Sequence, residues 1–262
     1  MALFFNLCSS SSGNATYIGS RTEGLLFDAG AGIRNFSKWL ALQGIHPEAV
    51  KGIFVTHEHS DHVKGLKVIA DRYHIPIYGS EGTLRRMLNT GRLTGEEDLH
   101  VIRRETNVNG FTVVAAPTSH DSPGSVCYRV ETPDGGIAGV CTDLGYMSDL
   151  ILETLSGCGH ILIEANYDEQ MLETGPYPYY LKERISSPSG HLSNAQCAEA
   201  VGRLYREGCR SFSLGHLSEH NNLPHLAEEA VSGYLQFMGL APGKDFRLEV
   251  LPKTTSGKAV EF

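Results

Sequence analysis

Long hydrophobic runs are missing from this sequence. No stretch of its 262 residues approaches the ~18 consecutive apolar residues that a membrane-spanning helix needs. The first residues carry no positive charge, and their apolar run is too short for the hydrophobic part of a secretory signal. These absences predict a protein of the cytoplasm that has no membrane partner.

Two further features are absent. None of the six cysteines forms a C-x-x-C pair, and all lie in apolar contexts, which indicates buried thiols in a reducing compartment. An excess of basic residues is also missing, because the formal net charge is −8. A broad basic face for nucleic acid is therefore not indicated, although a local basic patch stays compatible with this total.

Repeats and low-complexity tracts are absent as well, and strand-like and helix-like segments alternate from end to end. Alternation of this kind favours a layered α/β (α+β) architecture. The chain is 41% hydrophobic, which is enough for one substantial core. Because we find no domain boundary, we expect a single domain over residues 1–262.

Several local signals predict individual elements. The dipeptide Asp134-Gly135 predicts a hairpin turn. Ser193 and Gln196 match a capping box at the start of a helix. A helix is expected just after Asp61, where apolar residues recur at helical spacing. The stretch Asn166–Gly190, with prolines and tyrosines in its centre, is expected to be a long loop.

The densest group of metal-ligating residue types is the pattern H-x-H-x-D-H, which follows the strand-like segment Gly52–Thr56. His57 and His59 are two positions apart at the end of this strand, so extended backbone places both side chains on one side, where they can reach one ion. Asp61 and His62 begin the next turn and point elsewhere. Two metal sites a few ångströms apart are therefore expected.

Neighbouring residues cannot all converge on one point, so further ligands must come from other loops. Four residues of suitable type also lie where apolar strands end, namely Asp28, His120, Asp143 and His216. Taken alone, each is a weak signal. Together with the H-x-H-x-D-H pattern, their order along the chain becomes specific.

This order of residues resembles the metallo-β-lactamase superfamily, and the resemblance covers nearly the whole chain. It implies a four-layer αββα sandwich of two sheets with outer helices, with the site at one edge where strands end. It implies two divalent metal ions: the first held by His57, His59, His120 and Asp143, and the second held by Asp61, His62, His216 and Asp143. Asp143 would bridge the ions, and Asp28 would accept a hydrogen bond that fixes the motif loop.

The residue at position 143 separates this chain from secreted lactamases of the commonest type, which have a cysteine there. The chain has an aspartate instead, so antibiotic hydrolysis is not expected. An aspartate bridge gives oxygen-rich sites that suit zinc or manganese, and it suits the cleavage of phosphoesters or thioesters.

Two segments favour phosphoesters, because Ile161–Asn166 and Gly190–Gln196 resemble segments of the tRNA-processing nuclease RNase Z. The matching positions there form a catalytic carboxylate–histidine pair, which implies such roles for Glu164 and His191. Ile163 departs from the pattern, since the family has histidine at that position. His191 has independent support, because it precedes a capped helix whose free N–H groups favour an anion.

A narrower resemblance is to the YycJ/WalJ branch of the superfamily. The segments that carry it are Gly13-Asn14, the H-x-H-x-D-H pattern with Lys64-Gly65, Gly175–Ile185, Gly190–Asn194, and His216–Ser218 with Asn221-Asn222. The branch implies 5′ exonuclease activity on double-stranded DNA, so DNA is the expected partner in preference to RNA. Asn14 and the segment Tyr177–Arg184 are expected to bind substrate. Aromatic rings such as Tyr177 can stack on bases, and Lys182 and Arg184 can neutralise phosphates.

The sequence therefore predicts a dinuclear metal-dependent phosphodiesterase that acts on DNA ends through a metal-bridging hydroxide. Asp61 would orient this nucleophile, and His191 would protonate the leaving oxygen or hold the phosphate. Two alternatives remain open. One is a small-molecule thioesterase or lactonase of the glyoxalase II type, with the same ligands but no basic track. The other is a metal-stabilised regulatory protein without turnover.

Overall fold

The computed structural model describes residues 2–252 and 256–262, and within these ranges two seven-stranded sheets pack face to face. The first sheet contains β1 (Leu3–Ser10), β2 (Gly13–Gly19), β3 (Gly24–Phe27), β4 (Val50–Val55), β5 (Ile77–Gly79), β6 (Leu99–Val101) and β14 (Val260–Glu261). The second contains β7 (Glu105–Val108), β8 (Phe111–Pro117), β9 (Val126–Glu131), β10 (Ile137–Cys141), β11 (His160–Glu164), β12 (Ser211–Gly215) and β13 (Arg247–Val250).

Nine helices and one 3-10 turn connect the strands within the described residues. In chain order they are α1 (Ile33–Leu42), a 3-10 turn (Pro47–Ala49), α2 (Ser60–Val63), α3 (Leu66–Tyr73), α4 (Glu81–Asn89), α5 (Asp149–Leu155), α6 (Glu169–Thr174), α7 (Tyr179–Ser186), α8 (Asn194–Arg206) and α9 (Pro224–Phe237). None of the helices in the described residues is both long enough and apolar enough to cross a membrane.

Strand order explains how distant residues reach one edge. The first sheet runs β14-β1-β2-β3-β4-β5-β6, and the second runs β13-β12-β11-β10-β9-β8-β7. Strands β3 to β6 pair in parallel, and so do β10 to β13. Parallel neighbours end at the same edge of a sheet, so residues that follow β3, β4, β10, β11 and β12 are brought together there.

Three apolar clusters give the four layers. The central one lies between the sheets, where Phe27 and Phe54 of the first sheet meet Tyr128 of the second. A second cluster packs α1, α3 and α4 on the outer face of the first sheet, with Phe36 fully buried. A third packs α5, α8 and α9 on the outer face of the second sheet. The predicted αββα sandwich is therefore confirmed.

Two local predictions are also confirmed. Strands β9 and β10 form an antiparallel hairpin around Asp134-Gly135, with Gly135 in the left-handed region at φ 87°. The capping box at the start of α8 is present, because the Ser193 hydroxyl accepts from the Gln196 N–H and the Gln196 side chain accepts from the Ser193 N–H. Each of these signals depends on a few adjacent residues, which the sequence displays directly.

Two local predictions are wrong in detail. The stretch Asn166–Gly190 is not a long loop, because it contains the short helices α6 and α7. Asp168 caps α6 through a hydrogen bond to the Met171 N–H, and Pro178 is the N-cap of α7, so a proline starts this helix and does not interrupt one. The helix expected just after Asp61 begins at Ser60, one residue before Asp61, and is divided into α2 and α3.

Candidate metal centre

The predicted ligands all lie at the edge where the strands end. His57 comes two residues after β4, and His120 comes three residues after β8. Asp143 comes two residues after β10, and His216 directly follows β12. Strand order in both sheets therefore places side chains that are up to 159 positions apart in sequence within one small region.

The backbone at this edge is strained at three of the positions singled out by the sequence. Asp28 and Asp143 have φ 60°, and His216 has φ 54°, although none of them is glycine. Left-handed backbone costs a non-glycine residue roughly 1–2 kcal/mol, and such strain gathers at functional sites. The fold holds these three side chains in orientations that an ordinary strand end would not give.

His57, His59 and His120 form the first group, in which one ligand-type atom of each residue lies within 4.8 Å of the others. The Thr56 hydroxyl donates to Asp28 at 2.8 Å, so its oxygen is free to accept from His57 Nδ1 at 3.0 Å. His120 Nδ1 donates to the Gly190 carbonyl at 3.1 Å. Both rings are thereby fixed with the Nε2 lone pair facing the group, as metal ligation requires.

Asp61, His62 and His216 form the second group. Nδ1 of His62 donates to Asp28 Oδ2 at 2.7 Å, and Nδ1 of His216 donates to Glu164 Oε2 at 3.2 Å. Each ring therefore presents Nε2 to Asp61 Oδ2, at 3.3 Å from His62 and 3.4 Å from His216. A buried carboxylate behind a histidine is the arrangement that fixes the ring orientation in metal sites.

Asp143 lies between the two groups. Its Oδ1 is 3.7 Å from His120 Nε2 and 3.6 Å from His216 Nε2, and its Oδ2 is 3.2 Å from His62 Nε2. The side chain is 3% exposed. One carboxylate therefore contacts histidines of both groups, which is the position of a bridging ligand.

Two atoms in this region are buried without a hydrogen-bond partner among the described residues: Nε2 of His57 and Oδ2 of Asp143. A buried polar atom without a partner costs roughly 1–3 kcal/mol, so such atoms call for a ligand. Both carry lone pairs that point into the cluster. Imidazole nitrogen and carboxylate oxygen suit a divalent metal ion, and the residues fit such an ion well.

The electrostatics of the cluster also favour added positive charge. Burial opposes a proton on His62, yet the charges of Asp61, Asp143 and Asp28 raise its pKa well above the ordinary value. Burial likewise opposes a proton on His216, but Asp143 and hydrogen bonds to Asp61 and Glu164 raise its pKa to about 10. The same carboxylates would stabilise a metal cation.

Glu164 and His191 form the carboxylate–histidine pair that the sequence indicated. Glu164 is fully buried, and its Oε2 accepts from Nδ1 of His191 at 3.1 Å as well as from His216. Its Oε1 accepts from the backbone N–H groups of Leu144 and Leu192 at 2.9 and 3.0 Å. Four donors thus hold this carboxylate beneath the site, and Nε2 of His191 is the ring nitrogen left for a substrate.

The expected substrate-binding residues have different surroundings. The Asn14 amide lies at the cluster, 3.1 Å from both Asp61 Oδ2 and His62 Nε2. Tyr177 packs against the His220 ring at a centroid distance of 5.7 Å. Lys182 donates to the Glu173 carbonyl at 2.6 Å.

Arg184 is tied to the cluster through Asp121, which belongs to no recognisable sequence motif. Its guanidinium donates to Asp121 Oδ2 at 2.6 Å, and Asp121 Oδ1 lies 3.3 Å from His120 Nε2. Partial burial opposes ionisation of Asp121, yet the hydrogen bond from Arg184 lowers its pKa. The only sequence signal for Asp121 is its place directly after His120. Thr56, which orients His57, was missed for a similar reason.

These two sheets with outer helices, and a histidine–aspartate cluster at their common edge, define a metallo-β-lactamase fold that is suited to divalent metal binding. The sequence profile described as a beta-lactamase superfamily domain matches residues 24–210. The chain belongs to the metallo-β-lactamase superfamily.

Curated relatives match almost the whole chain. Exodeoxyribonuclease WalJ of Streptococcus pneumoniae serotype 2 is 34% identical over 246 residues, which cover 92% of this chain and 91% of that protein. Exodeoxyribonuclease YycJ of Bacillus anthracis is 33% identical over 251 residues, which cover 95% of each chain. The resemblance to the YycJ/WalJ branch is therefore confirmed.

The solved structure of human tRNase Z, short form, has the same fold. It superposes with a TM-score of 0.64 at 16% identity, covering 98% of this chain and 99% of that one. At this level of identity, the likeness concerns the fold alone.

Proposed function

We propose that this protein is a metal-dependent nuclease that cleaves phosphodiester bonds of DNA from an end. The observation that carries the proposal is the cluster of histidines and aspartates whose lone pairs face one another. Similarity to two exodeoxyribonucleases over more than 90% of the chain supports DNA as the substrate. A 5′ polarity and a preference for DNA over RNA are part of the proposal.

The proposal includes two divalent ions, zinc or manganese. His57, His59, His120 and Asp143 would hold one ion; Asp61, His62, His216 and Asp143 would hold the other. When bound, such ions activate a water molecule as the nucleophile and neutralise charge on the phosphate. Asp28 would not bind an ion itself. It accepts from Nδ1 of His62 and so keeps that ring in the tautomer whose Nε2 can bind a metal.

Residues of the chain supply the remaining steps. Asp61, besides acting as a ligand, would orient the attacking hydroxide by accepting a hydrogen bond from it. His191, when protonated on both ring nitrogens, would donate its Nε2 proton to the leaving oxygen or hold the phosphate, and would keep its Nδ1 proton on Glu164. Glu164 fixes the His191 ring through Nδ1, and since the carboxylate is fully buried we assign it a positioning role.

Arg184 and Asn14 are the residues that we propose to contact the substrate. Arg184 lies one carboxylate away from His120 and is 47% exposed, so it can reach a phosphate near the cluster by leaving Asp121. The Asn14 amide donates to Asp61 Oδ2, so it also lies at the cluster. Lys182 donates to the Glu173 carbonyl, and Tyr177 packs against the His220 ring.

We further propose that residues 1–262 form one domain and that the protein acts in the cytoplasm. The three apolar clusters involve segments from both ends of the chain, which supports a single domain. The six cysteines are all free and buried, which supports a reducing compartment.

Digestion of duplex DNA labelled at the 5′ or the 3′ end tests this function. We expect metal-dependent release of single nucleotides from the 5′ label. His191→Ala should slow cleavage by at least about 100-fold, the usual contribution of a general acid, while bound metal is retained.

His225→Ala is the matched control, because His225 is exposed on α9 and should leave the rate unchanged. Turnover of a thioester panel with no cleavage of either DNA would contradict the nuclease and favour the glyoxalase II type. A wild-type rate in His191→Ala would remove that residue from the mechanism.

A further inference from the structure

A small cavity of about 190 Å³ lies beside the metal centre. Its walls come from the ends of β1 and β2 with the turn between them, from α1 with the loop before it, and from Lys64 at the end of α2. The lining residues that matter here are Ser10, Ser12, Gly13, Asn35, Trp39 and Lys64. Sites for whole small molecules usually measure roughly 300–1,000 Å³, so this volume suits a single chemical group of a larger ligand.

The cavity wall is directly joined to the cluster. The amide of Asn14, which follows Gly13 of the wall, donates to the Ser10 carbonyl at 3.0 Å and lies 3.1 Å from Asp61 Oδ2. The Ser9 hydroxyl accepts from the His216 N–H at 2.8 Å. The cavity wall and the cluster are therefore linked through the Asn14 amide.

The charge of the cavity contrasts with the acidic chain. None of its ten lining residues is acidic, and Lys64 places an ammonium in the wall, where it donates to the Ser12 carbonyl. Helix α1, which starts at the wall, contains Arg34 and Lys38 and no acidic residue. The formal net charge of the chain is −8, so the absence of carboxylates from this lining favours an anion here over the acidic surface elsewhere.

The cavity beside the expected substrate segment has the opposite character. It is lined by Glu169, Glu173 and Glu183, with Lys182 as its one cation. Three carboxylates repel a phosphodiester backbone. Of the two cavities, the one at Lys64 is therefore the better match for a phosphate.

Trp39 adds an aromatic surface to the same wall. It is partly exposed on α1, and it is the only tryptophan of the chain. An indole ring can stack on any base, and such stacking contributes roughly 1–3 kcal/mol per base. A lysine and hydroxyls beside an aromatic ring are the groups that recognise a phosphate together with the base attached to it.

We propose that this cavity binds a phosphate group of the nucleic-acid substrate, with the adjacent base on Trp39, while the scissile phosphate occupies the metal centre. The proposal rests on the proposed nuclease function. It names the residues that hold the strand beside the cleaved bond, and it replaces Lys182 with Lys64 as the main cationic contact. The phosphate can be a terminal monoester or an internal diester, and both present the same anionic oxygens.

Trp39 fluorescence provides a direct assay, because no other tryptophan contributes to the signal. The full-length, metal-loaded protein would be titrated with 5′-dAMP, deoxyadenosine, and a dinucleotide that has no terminal phosphate. We expect a saturable change with 5′-dAMP or the dinucleotide and a much weaker one with deoxyadenosine. Tighter binding of 5′-dAMP identifies a terminal phosphate, and tighter binding of the dinucleotide identifies an internal diester.

Lys64→Gln should weaken this binding about tenfold, because a charge-assisted hydrogen bond to phosphate is lost. Lys51→Gln is the matched control, since Lys51 also donates to a backbone carbonyl, that of Glu48, away from the cavity. Circular dichroism and metal content would show that both variants are folded. Equal affinity in wild type and Lys64→Gln, or binding of both 5′-dAMP and the dinucleotide no tighter than that of deoxyadenosine, would overturn the proposal.

A separate readout distinguishes this failure from failure of the nuclease function. Bis(p-nitrophenyl) phosphate has one phosphate and no base, so its hydrolysis by the wild-type protein reports on the metal centre alone. Hydrolysis of this ester without phosphate-dependent Trp39 quenching overturns the cavity proposal only. Quenching that depends on Lys64, without hydrolysis of this ester or of DNA, overturns the nuclease and leaves a phosphate-binding cavity.

Discussion

Replacing Glu164 by glutamine tests how the protein prepares its histidines for metal. The carboxylate accepts four hydrogen bonds, two from backbone N–H groups through Oε1 and two from histidine Nδ1 atoms through Oε2. Glutamine keeps the shape but has only one acceptor oxygen. If that oxygen keeps accepting from the two backbone N–H groups, the amide NH₂ faces Nδ1–H of both His191 and His216. Two hydrogen-bond donors then face each other at each histidine.

The histidines can escape this conflict only by moving the ring proton from Nδ1 to Nε2. In His216 that proton would then occupy the lone pair that faces Asp61 and Asp143. Loss of such a supporting carboxylate typically lowers metal affinity 10- to 100-fold. By the usual conversion of about 1.4 kcal/mol per tenfold, we expect Glu164→Gln to weaken metal binding by about 1.4–2.8 kcal/mol.

Competition with a chelator of known affinity, followed by metal analysis, measures this change. Thermal unfolding with and without added zinc gives a second measure, because a ligand that binds only the folded state stabilises it. Glu249→Gln is the matched control, since Glu249 lies on β13 of the same sheet and accepts from Ser213 at 2.6 Å, away from the cluster. Wild-type metal affinity in a folded Glu164→Gln protein would refute the tautomer argument.

Two further predictions concern stability. His160 is buried and bonded to the hydroxyls of Ser211 and Ser213, and burial lowers its pKa from 6.5 to about 3. The unfolded chain therefore takes up this proton first, and stability is lost as the pH falls below 6.5. Urea unfolding at about pH 7 and pH 5 should show that His160→Gln reduces the pH-dependent loss by about 2 kcal/mol, and an unchanged loss would contradict the assignment. Gly30→Ala should destabilise the fold by about 1–3 kcal/mol, because its Cβ would lie 1.6 Å from the Asp61 carbonyl oxygen, whereas Gly32→Ala meets nothing within 4 Å and should be neutral in the same assay.

The sequence predicted the fold and the composition of the cluster because both depend on residues at strand ends. A histidine or aspartate after an apolar run, such as His120 or Asp143, is visible without coordinates. The sequence could not show which groups lie behind the predicted ligands and orient them. Thr56 fixes His57, and the peptide carbonyl of Gly190 fixes His120. Hydroxyls and carbonyls are present throughout any chain, so only the fold reveals which of them contact a histidine.

The substrate side was harder to predict for a related reason. Composition suggested that Tyr177–Arg184 was a basic aromatic loop, but the fold turns most of it into α7 and places glutamates around Lys182. The carboxylate-free cavity is assembled from Gly13, Trp39 and Lys64, which are separated by 25 to 51 positions and share no motif. The net charge of this cavity depends on which segments the fold brings together, so no single segment of the sequence reveals it.

The most direct test of the proposed metal-dependent nuclease is cleavage of end-labelled duplex DNA by protein that has been stripped of metal and then supplied with zinc or manganese. We predict no cleavage by the stripped protein, recovery on metal addition, and no recovery for His59→Ala or Asp143→Ala. Cleavage at the full rate by the stripped protein, or by Asp143→Ala, would contradict a nuclease that works through this cluster.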